Sequence, residues 1–292
     1  MLDSISGVDH IVIATRDLAA AAAAWQRLGF TIAPRGVHSA HLGTANHTIM
    51  LIDDYIELLG VVAPTPHNAP TRVLLEGGDG LERIALRARD AQRLADELAG
   101  RGIAATGPLD FGRPVDLSAG GRSEARFRTV FWPVDKRPGG ARLFACEHLT
   151  PDVVWLPELT RHANTAERLV EVTLVTPSAA ADAALLADML DAPAEAGAAG
   201  WRVATAPGAA AIRCVAREPL LAARPELDAT QVAARGTIVT IAVASLEAAV
   251  AAAPGAMRAA SRAIVPASAA NGVAVVFEAG DGGGAAATSG EA

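Results

Sequence analysis

The stretch Val8-Asp9-His10-Ile11-Val12-Ile13-Ala14-Thr15-Arg16-Asp17-Leu18 decides the fold of this chain. Its first seven residues are mostly apolar or β-branched, which predicts a half-buried strand. Asp17 is a typical helix-capping residue and Gly29 a typical helix-stopping one, so a helix is predicted between them. His10 lies in the middle of the apolar run, where its side chain is expected to point to one face of a sheet.

This stretch opens a unit that extends to residue 61. After the helix we predict a short strand over 30–32, a polar loop rich in His, and two strands over 48–52 and 55–61. The last strand carries Glu57 between bulky apolar residues. A carboxylate in that position either faces water or is held inside for a purpose. The unit therefore has the order β-α-β-β-β, with an ionisable residue on its first and last strands.

A second unit repeats the first, because residues 81–90 overlay the opening stretch without a gap. Asp90 then matches Asp17 as the helix cap, and Arg83 stands where His10 does. The rest of this unit is predicted to contain a Gly/Ser/Arg-rich loop around 112–124, followed by strands at 126–132 and 141–148.

Two further copies begin at Leu169 and Thr237, and Ser178 and Ser245 are predicted to open their helices. These copies are shorter and contain almost no His. We therefore predict an α+β chain of four βαβββ modules in two domains. Its predicted parts are a two-module domain with the active cleft (1–150), a crossover (151–168), a degenerate pair of modules (169–280) and a disordered tail (281–292).

The composition limits the class of partner. The chain has 292 residues, a formal net charge of -7 and no block of Lys or Arg, which argues against nucleic acid and anionic membranes. Its apolar stretches are interrupted before the roughly 18 residues of a membrane-spanning helix. The amino terminus lacks the features of a signal peptide, and Cys146 and Cys214 fit a reduced compartment. We expect a cytoplasmic protein that binds a small molecule, with a homodimer as one option.

Taken together, these features resemble the vicinal oxygen chelate superfamily and, within it, a glyoxalase-like subgroup. The resemblance rests on the opening D-H-I-V-I (9–13) and the closing Y-I-E-L-L (55–59) of the first unit. The subgroup is indicated by H-L-G-T-A-N (41–46) and by C-E-H-L-T-P-D-V-V-W (146–155) with the following H-A-N (162–164).

The resemblance implies that paired modules enclose a cleft, where their first and last strands supply up to four ligands to a divalent metal. These positions map to His10, Glu57, Arg83 and the neighbours Glu147 and His148. A guanidinium cannot bind a cation, so the ligand set is reduced to three. The implied cofactor is a divalent metal such as Fe, Mn, Zn or Ni.

Only one of the last two neighbours can face the cleft, because successive strand residues alternate faces. With His148 inward, the ligands are His10, Glu57 and His148, a set that suits Fe(II) or Mn(II). With Glu147 inward, the set has two carboxylates and suits Mn(II) or Zn(II). In the first arrangement, Arg83 beside the metal would hold an anionic group of the substrate.

Three kinds of function are compatible with this interpretation. A metal-dependent lyase, isomerase or dioxygenase would hold two neighbouring substrate oxygens on the metal, and Glu57 or Glu147, if not a ligand, would transfer a proton. A metal-free enzyme or binding protein would clamp an acidic substrate with Arg83. A protein that sequesters a drug or metabolite is disfavoured, because aromatic residues make up only 4% of the chain.

Four residues are candidates for substrate binding: Arg83, His41, Asn46 and His162. Structural roles compete with these functional ones: hydrogen bonds within the loop for the His residues at 38, 41 and 47, a turn for Asn46, and solvent exposure at the end of a strand for Glu147 and His148. Six of the seven His precede residue 149, so we expect the working cleft in the amino-terminal half.

Overall fold

The computed structural model describes residues 1–116, 120–227, 232 and 235–280. Within them the chain forms two eight-stranded mixed sheets with helices between the strands. The predicted α+β architecture of paired βαβββ modules is thereby confirmed. The predicted disordered tail lies outside the described residues.

The first sheet is formed by the amino-terminal half. Its strands are β1 (Ile5–Thr15), β2 (Gly36–Val37), β3 (Thr44–Met50), β4 (Tyr55–Val61), β5 (Gly80–Ala88), β6 (Thr106–Asp116), β7 (Arg122–Phe131) and β8 (Arg142–His148). Its helices are α1 (Leu18–Arg27), α2 (Ala69–Glu76) and α3 (Ala91–Gly100). The strand order is β2-β3-β4-β1-β5-β8-β7-β6, so the two modules join where β1 runs antiparallel to β5.

The second sheet repeats this plan. Its strands are β9 (Ala166–Val175), β10 (Ala194–Gly197), β11 (Gly200–Val203), β12 (Ala211–Val215), β13 (Gly236–Val243), β14 (Met257–Ala259), β15 (Arg262–Val265) and β16 (Val273–Ala279). Its helices are α4 (Ala179–Leu190), α5 (Arg217–Ala223) and α6 (Leu246–Ala252). The order β10-β11-β12-β9-β13-β16-β15-β14 is that of the first sheet, module by module.

The capping residues predicted from the repeats begin three of the four module helices. The Asp17 carboxylate accepts a hydrogen bond from the Ala20 amide at 2.9 Å, and Asp90 accepts one from Arg93 at 3.0 Å. Ser245 does the same for Ala248 at 3.2 Å. Ser178 precedes α4 without a side-chain cap bond. Each such bond satisfies an amide that the helix itself leaves unpaired.

Alternation along the central strands divides the core into layers. On β1, Ile11 and Ile13 belong to the largest core cluster, which also contains residues of the second sheet and of α1, α3, α4 and α6. Val12, on the opposite face, belongs to a smaller cluster confined to the amino-terminal half. The two sheets therefore share one helix-containing core, and the other face of each sheet carries a smaller apolar cluster of its own.

Polar contacts also join the halves. The Ile52 amide donates to the Glu167 carbonyl at 2.8 Å, and the Trp25 indole N–H donates to Asn271 Oδ1 at 3.1 Å. The buried carboxylate of Asp54 accepts the Leu169 amide, at 3.1 Å and 3.0 Å for its two oxygens. The turn between β3 and β4 and helix α1 are therefore both hydrogen-bonded to the carboxyl-terminal half.

Four local expectations differ from the structure. Residues 30–32 form no strand, and β3 begins at Thr44 rather than 48, so residues 36–37 and 44–47 of the predicted polar loop are part of the sheet. The predicted loop at 112–124 is occupied largely by β6 and β7, whose cross-strand ladder extends the sheet. Helix α2, which was not predicted, connects the two modules. No helix among the described residues is long and apolar enough to cross a membrane.

The Asp54 contact predicts a pH-dependent stability. Burial raises the pKa of Asp54 to about 7 from 3.8, although the Leu169 amide favours the ionised form. Because the folded state then holds this proton more tightly than the unfolded state, stability is fully present below pH 4 and falls as the pH rises to 7. We expect Asp54→Asn to remove this loss, so that the variant gains up to about 4 kcal/mol relative to the wild type between pH 4 and pH 8.

Urea unfolding of both proteins at several pH values measures this difference. Asp53→Asn is the matched control, because Asp53 lies on the same turn and is exposed. An equal pH dependence in the wild type and in Asp54→Asn would contradict the role of Asp54.

Candidate functional site

The first sheet curves around a cavity of about 250 Å³. Both amino-terminal modules line it, with side chains from β1, β3 and β4 on one side and from β5 to β8 on the other. Its ionisable lining residues include His10, His38, Glu57, Arg83, Arg113 and Arg142. Four of the six Phe of the chain line the same cavity, at positions 111, 127, 131 and 144. The cavity therefore combines guanidinium groups, imidazoles and one buried carboxylate with an apolar wall.

Glu57 lies on the inner face of β4 and is only 9% exposed. Its Oε1 accepts a hydrogen bond from Asn46 Nδ2 at 2.8 Å. His10 Nε2 is 3.8 Å from Oε2, and His38 Nε2 is 3.9 Å from Oε1. Burial alone would raise the pKa of Glu57, but the positive fields of His38, His10 and Arg83 and the Asn46 bond together hold it below its usual value. The carboxylate is therefore ionised at neutral pH.

The ring nitrogen of His10 that faces away from Glu57 is bonded to Asp9, a residue that no motif in the sequence singles out. Asp9 Oδ2 accepts from His10 Nδ1 at 2.7 Å, while the Tyr55 ring stacks on the imidazole at 4.2 Å. Neighbouring strand residues normally point to opposite faces, but the ladder between β1 and β5 shifts register between Val8 and His10. This bulge allows the adjacent side chains to meet, and bulges have no clear signal in a single sequence.

Asp9 is a fully buried carboxylate shared by three donors. Besides His10, it accepts His148 Nε2 at 2.9 Å and Arg87 Nε at 2.9 Å. Burial raises its pKa, but the hydrogen bonds and charges of His10 and His148 outweigh that effect and keep the pKa far below its usual value. Asp9 thus stays ionised and fixes the orientation of His10.

The structure does not bring His148 to Glu57 as predicted. His148 lies one layer behind His10, bonded to Asp9 and packed on Trp155 at 4.8 Å, and it lines a neighbouring cavity. Glu147 points to the other face, where its carboxylate accepts the Ala91 amide at the start of α3 at 2.9 Å. That position stabilises a helix N-terminus and lies away from the cavity.

Strand register explains this difference. His10 pairs with Tyr55 across β1 and β4, and Arg83 pairs with Arg142 across β5 and β8. Glu57 lies two residues after Tyr55, and the residue two positions after Arg142 is Phe144. The counterpart of Glu57 in the second module is therefore Phe144, not Glu147 or His148. The pseudo-symmetric positions of the second module are therefore a guanidinium and a phenyl ring, neither of which donates to a metal.

Arg83 lines the cavity as predicted. It forms an ion pair with Glu82, and Arg142 forms another with the same carboxylate. Burial lowers the pKa of Arg83, while the charge of Glu57 opposes this effect. Its guanidinium carbon lies 5.7 Å from the centre of the Phe144 ring. Two guanidinium groups thus share one buried carboxylate, and the group keeps a net positive charge toward the cavity.

Two of the other predicted substrate-binding residues line the cavity, and the third does not. Asn46 contacts Glu57, and His41 lies near the opening with its Nδ1 3.1 Å from Ser39 Oγ. His162 is placed elsewhere, with both ring nitrogens engaged: Nδ1 accepts the Thr31 amide at 3.0 Å, and Nε2 donates to the Met50 carbonyl at 2.9 Å. It fastens the crossover to the first module.

The H-L-G-T-A-N stretch (41–46) contains a glycine, Gly43, at a position where the backbone of residue 63 approaches closely. Gly43 has a φ of +63°, and a Cβ there would lie 2.3 Å from the Ala63 carbonyl oxygen. The tight turn leads directly into β3, where alternation points Thr44, Asn46 and Thr48 into the cavity. The motif therefore sets the position of the Asn46 amide against Glu57.

The second half satisfies its equivalent charges internally. Arg213 donates to both oxygens of Glu171, at 2.9 Å and 2.8 Å, and Arg262 donates to Glu278 at 3.1 Å. Glu171 occupies in the third module the position that His10 has in the first. Arg213 occupies the position of Glu57, because Arg213 pairs with Thr173 as Glu57 pairs with Val12. A paired carboxylate and guanidinium leave no charge free for a ligand.

Among the described residues, Asp9, Cys146 and His148 are a group whose potential metal-ligating atoms all lie within 4.8 Å of one another. The Asp9 carboxylate in this group already accepts three side-chain donors, and burial raises the pKa of the Cys146 thiol well above its usual value. A metal there would have to displace existing hydrogen bonds.

Comparison with known proteins supports the fold. A family model described as a glyoxalase-like domain matches residues 8–190, more than half of the chain. A hypothetical protein from Staphylococcus aureus is similar over 93% of this chain and 98% of its own, with 14% identity and a TM-score of 0.67. No curated protein matches the chain.

Two further solved structures are similar. A xylose isomerase-like TIM barrel/4-hydroxyphenylpyruvate dioxygenase fusion protein is 16% identical, with a TM-score of 0.58 over 98% of this chain, which spans 51% of that protein. A methylmalonyl-CoA epimerase from Mycobacterium tuberculosis is 18% identical over 50% of this chain and 91% of its own, with a TM-score of 0.39.

The buried Asp9 contact predicts a large loss of stability on substitution. Asp9→Asn would place an amide where three donors require an anion, so we expect a loss of about 3–5 kcal/mol in unfolding free energy. Asp110→Asn is the control, because its ion pair with Arg128 is at the surface and is worth at most about 1 kcal/mol. Urea unfolding at pH 7 measures both, and similar losses in the two variants would rule out a special role for Asp9.

Proposed function

The chain belongs to the glyoxalase-like domain family of the vicinal oxygen chelate superfamily, and from that premise we propose that it is an enzyme acting on a small anionic substrate in the amino-terminal cavity. The observation that carries the proposal is the meeting, in one cavity, of the ionised Glu57 with Arg83 and Arg142. We further propose that residues 1–150 form the working domain and that 169–280 form a supporting one. Both cysteines are free and buried, which supports a reducing, cytoplasmic location.

The guanidinium groups support an anionic substrate. Arg83 and Arg142 share Glu82, so one positive charge remains between them, and Arg113 on β6 lines the same cavity. A guanidinium presents donors in a planar fork that matches a carboxylate or a phosphate. The Arg83 side chain is only 17% exposed, which strengthens such contacts. The substrate's anionic group would therefore lie against Arg83.

The polar residues Glu57, Asn46 and His41 support a reaction next to the substrate's anionic group. Glu57 and Asn46 would face the substrate's oxygens, and His41 would contact its outer end. The fixed orientation of Glu57, held by Asn46 at 2.8 Å, suits either a metal ligand or a proton acceptor. The imidazoles of His10 and His38, whose Nε2 atoms lie 3.8 Å and 3.9 Å from the Glu57 oxygens, would contact the same part of the substrate. These groups suit a lyase or an isomerase better than simple binding.

The residues fit the divalent metal expected for the superfamily only on one side of the cavity. His10 Nε2 and the Glu57 carboxylate can donate to Fe, Mn, Zn or Ni, whereas Arg83 and Phe144 cannot. When bound, such an ion would supply a Lewis acid that stabilises charge developing on neighbouring substrate oxygens. Arg83 would orient the substrate, and the Phe side chains would exclude water.

A second candidate function is metal-free binding or sequestration of an acidic metabolite or drug. The specific observation in its favour is the local concentration of aromatic rings, with four Phe and the sole Tyr of the chain around one cavity. The low overall aromatic content had argued against this function, but composition does not report where the rings are. In this case Arg83 would provide the main polar contact.

Arg83→Gln tests the anion site. Small dicarboxylates and 2-oxo acids are first screened by thermal shift, and Kd values of the binders are then measured calorimetrically on chelator-treated protein. Loss of a charged hydrogen-bond donor is expected to weaken binding by about 10- to 100-fold. Arg128→Gln is the matched control, because Arg128 is on the same sheet but pairs with Asp110 at the surface. Equal affinity in Arg83→Gln and the wild type would refute the assignment.

A further inference from the structure

A second cavity, of about 360 Å³, shares no lining residue with the first cavity, which contains Glu57 and Arg83. The function proposed above uses none of the residues around it. Several of them belong to the C-E-H-L-T-P-D-V-V-W stretch (146–155), most of which has no part in the first cavity. The polar residues that line the second cavity are Asp53, Arg87, His148, Asp152 and Trp155.

The turn after β8 places the Trp155 ring against His148. Strand β8 ends at His148, and a single turn of 3₁₀-helix follows over Pro151–Val153. The Trp155 amide donates to the Pro151 carbonyl at 3.0 Å, which closes this turn. The centre of the Trp155 ring then lies 4.8 Å from that of His148 and 5.4 Å from the guanidinium carbon of Arg87. Three polar side chains, from β5, β8 and the turn, therefore meet at one wall of the cavity.

Each of these three side chains carries a buried polar atom without a hydrogen-bond partner among the described residues. The three atoms are Arg87 Nη2, His148 Nδ1 and Trp155 Nε1, and in the described part of the chain only one other buried side-chain atom lacks a partner. The remaining nitrogens Arg87 Nε and His148 Nε2 each donate to Asp9 at 2.9 Å, which fixes both side chains. A buried polar atom without a partner is costly, so three of them at one wall indicate a site for a ligand.

The chemistry of two of these atoms defines one end of the ligand. A guanidinium and an indole N–H can only donate hydrogen bonds, so the group that faces Arg87 and Trp155 must accept them. A carboxylate suits both, because it offers two acceptor oxygens and its charge matches that of the guanidinium. His148 Nδ1 accepts when the imidazole is neutral and donates when it is protonated, so it can bond to a group of either kind.

Two aspartates define the other end of the ligand. Asp53 and Asp152 line the same cavity, both are exposed, and neither forms an ion pair with another described residue. Their negative charge opposes the binding of a polyanion such as phosphate and attracts an ammonium group. A molecule that carries one carboxylate and one ammonium group is therefore complementary to both ends of the cavity.

We propose that the second cavity is a binding site for a small amino carboxylate, such as an amino acid. Arg87 and Trp155 hold the carboxylate, and the ammonium group lies toward Asp53 and Asp152. The site is separate from the first cavity, and it does not depend on the reaction proposed there.

Binding of amino carboxylates to the full-length protein tests this site. The twenty standard amino acids, β-alanine and 4-aminobutyrate are screened by thermal shift, and the Kd of each binder is measured calorimetrically. The acid without the amino group and the amine without the carboxylate are then titrated in the same way; for glycine these are acetate and methylamine. Each is expected to bind at least about tenfold more weakly, because it leaves one end of the cavity without a charged partner.

Two substitutions test the two ends of the site, and circular dichroism checks that each variant is folded. Trp155→Phe removes the indole N–H but keeps an aromatic ring, and it is expected to weaken binding about tenfold. Asp152→Asn removes an exposed charge and is expected to weaken binding about threefold. Asp135→Asn is its matched control, because Asp135 is an exposed aspartate of the same half that does not line the cavity. Arg87 is left intact, because its bond to Asp9 also stabilises the fold.

Arg83→Gln distinguishes the two cavities. Arg83 lines the first cavity and not the second, so this variant should bind the amino carboxylate like the wild type. The proposal would be overturned by a wild type that binds no member of the panel, or by unchanged affinity in Trp155→Phe. Loss of binding in Arg83→Gln, or a simple carboxylate that binds as tightly as the amino carboxylate, would also overturn it.

Discussion

The carboxylate of Asp9 is the interaction on which the amino-terminal cavity depends. It has no exposure to water, and it accepts donors from His10, Arg87 and His148, which come from three different strands. Removal of any one partner would leave charge uncompensated in a low-dielectric interior. The bulge that turns Asp9 toward His10 therefore ties β1, β5 and β8 together at the point where the two modules meet.

The same architecture is used differently in the two halves. In the first, the central positions carry His10, Glu57 and Arg83, whose polar groups face a cavity. In the second, the corresponding strands carry Glu171 and Arg213, which neutralise each other through two hydrogen bonds. One sheet thus keeps polar groups available to a ligand, whereas the other uses them to hold its own strands together.

The fold could be predicted from the sequence because the features that mark each repeat lie close together along the chain. The β-branched runs, the capping residues Asp17 and Asp90, and the gap-free overlay of the first two units all act over short distances. It was insufficient for the site because register and bulges depend on pairing between distant strands. The ligand position assigned to Glu147 or His148 belongs by register to Phe144, and nothing local to residues 141–148 indicates the offset. Asp9 was missed for the same reason.

The core shared by the two sheets has a consequence for synthesis of the chain. Trp25 finds its hydrogen-bond partner in Asn271, 246 positions later, and the helices of the first half pack on residues of the second. As the ribosome releases the chain from its amino terminus, the first sheet can pair its strands while the apolar face of α1 and α3 is still uncovered. Nascent chains in that condition bind chaperones and one another. The amino-terminal half therefore depends on the carboxyl-terminal half, which is synthesised last, to cover the apolar faces of its helices.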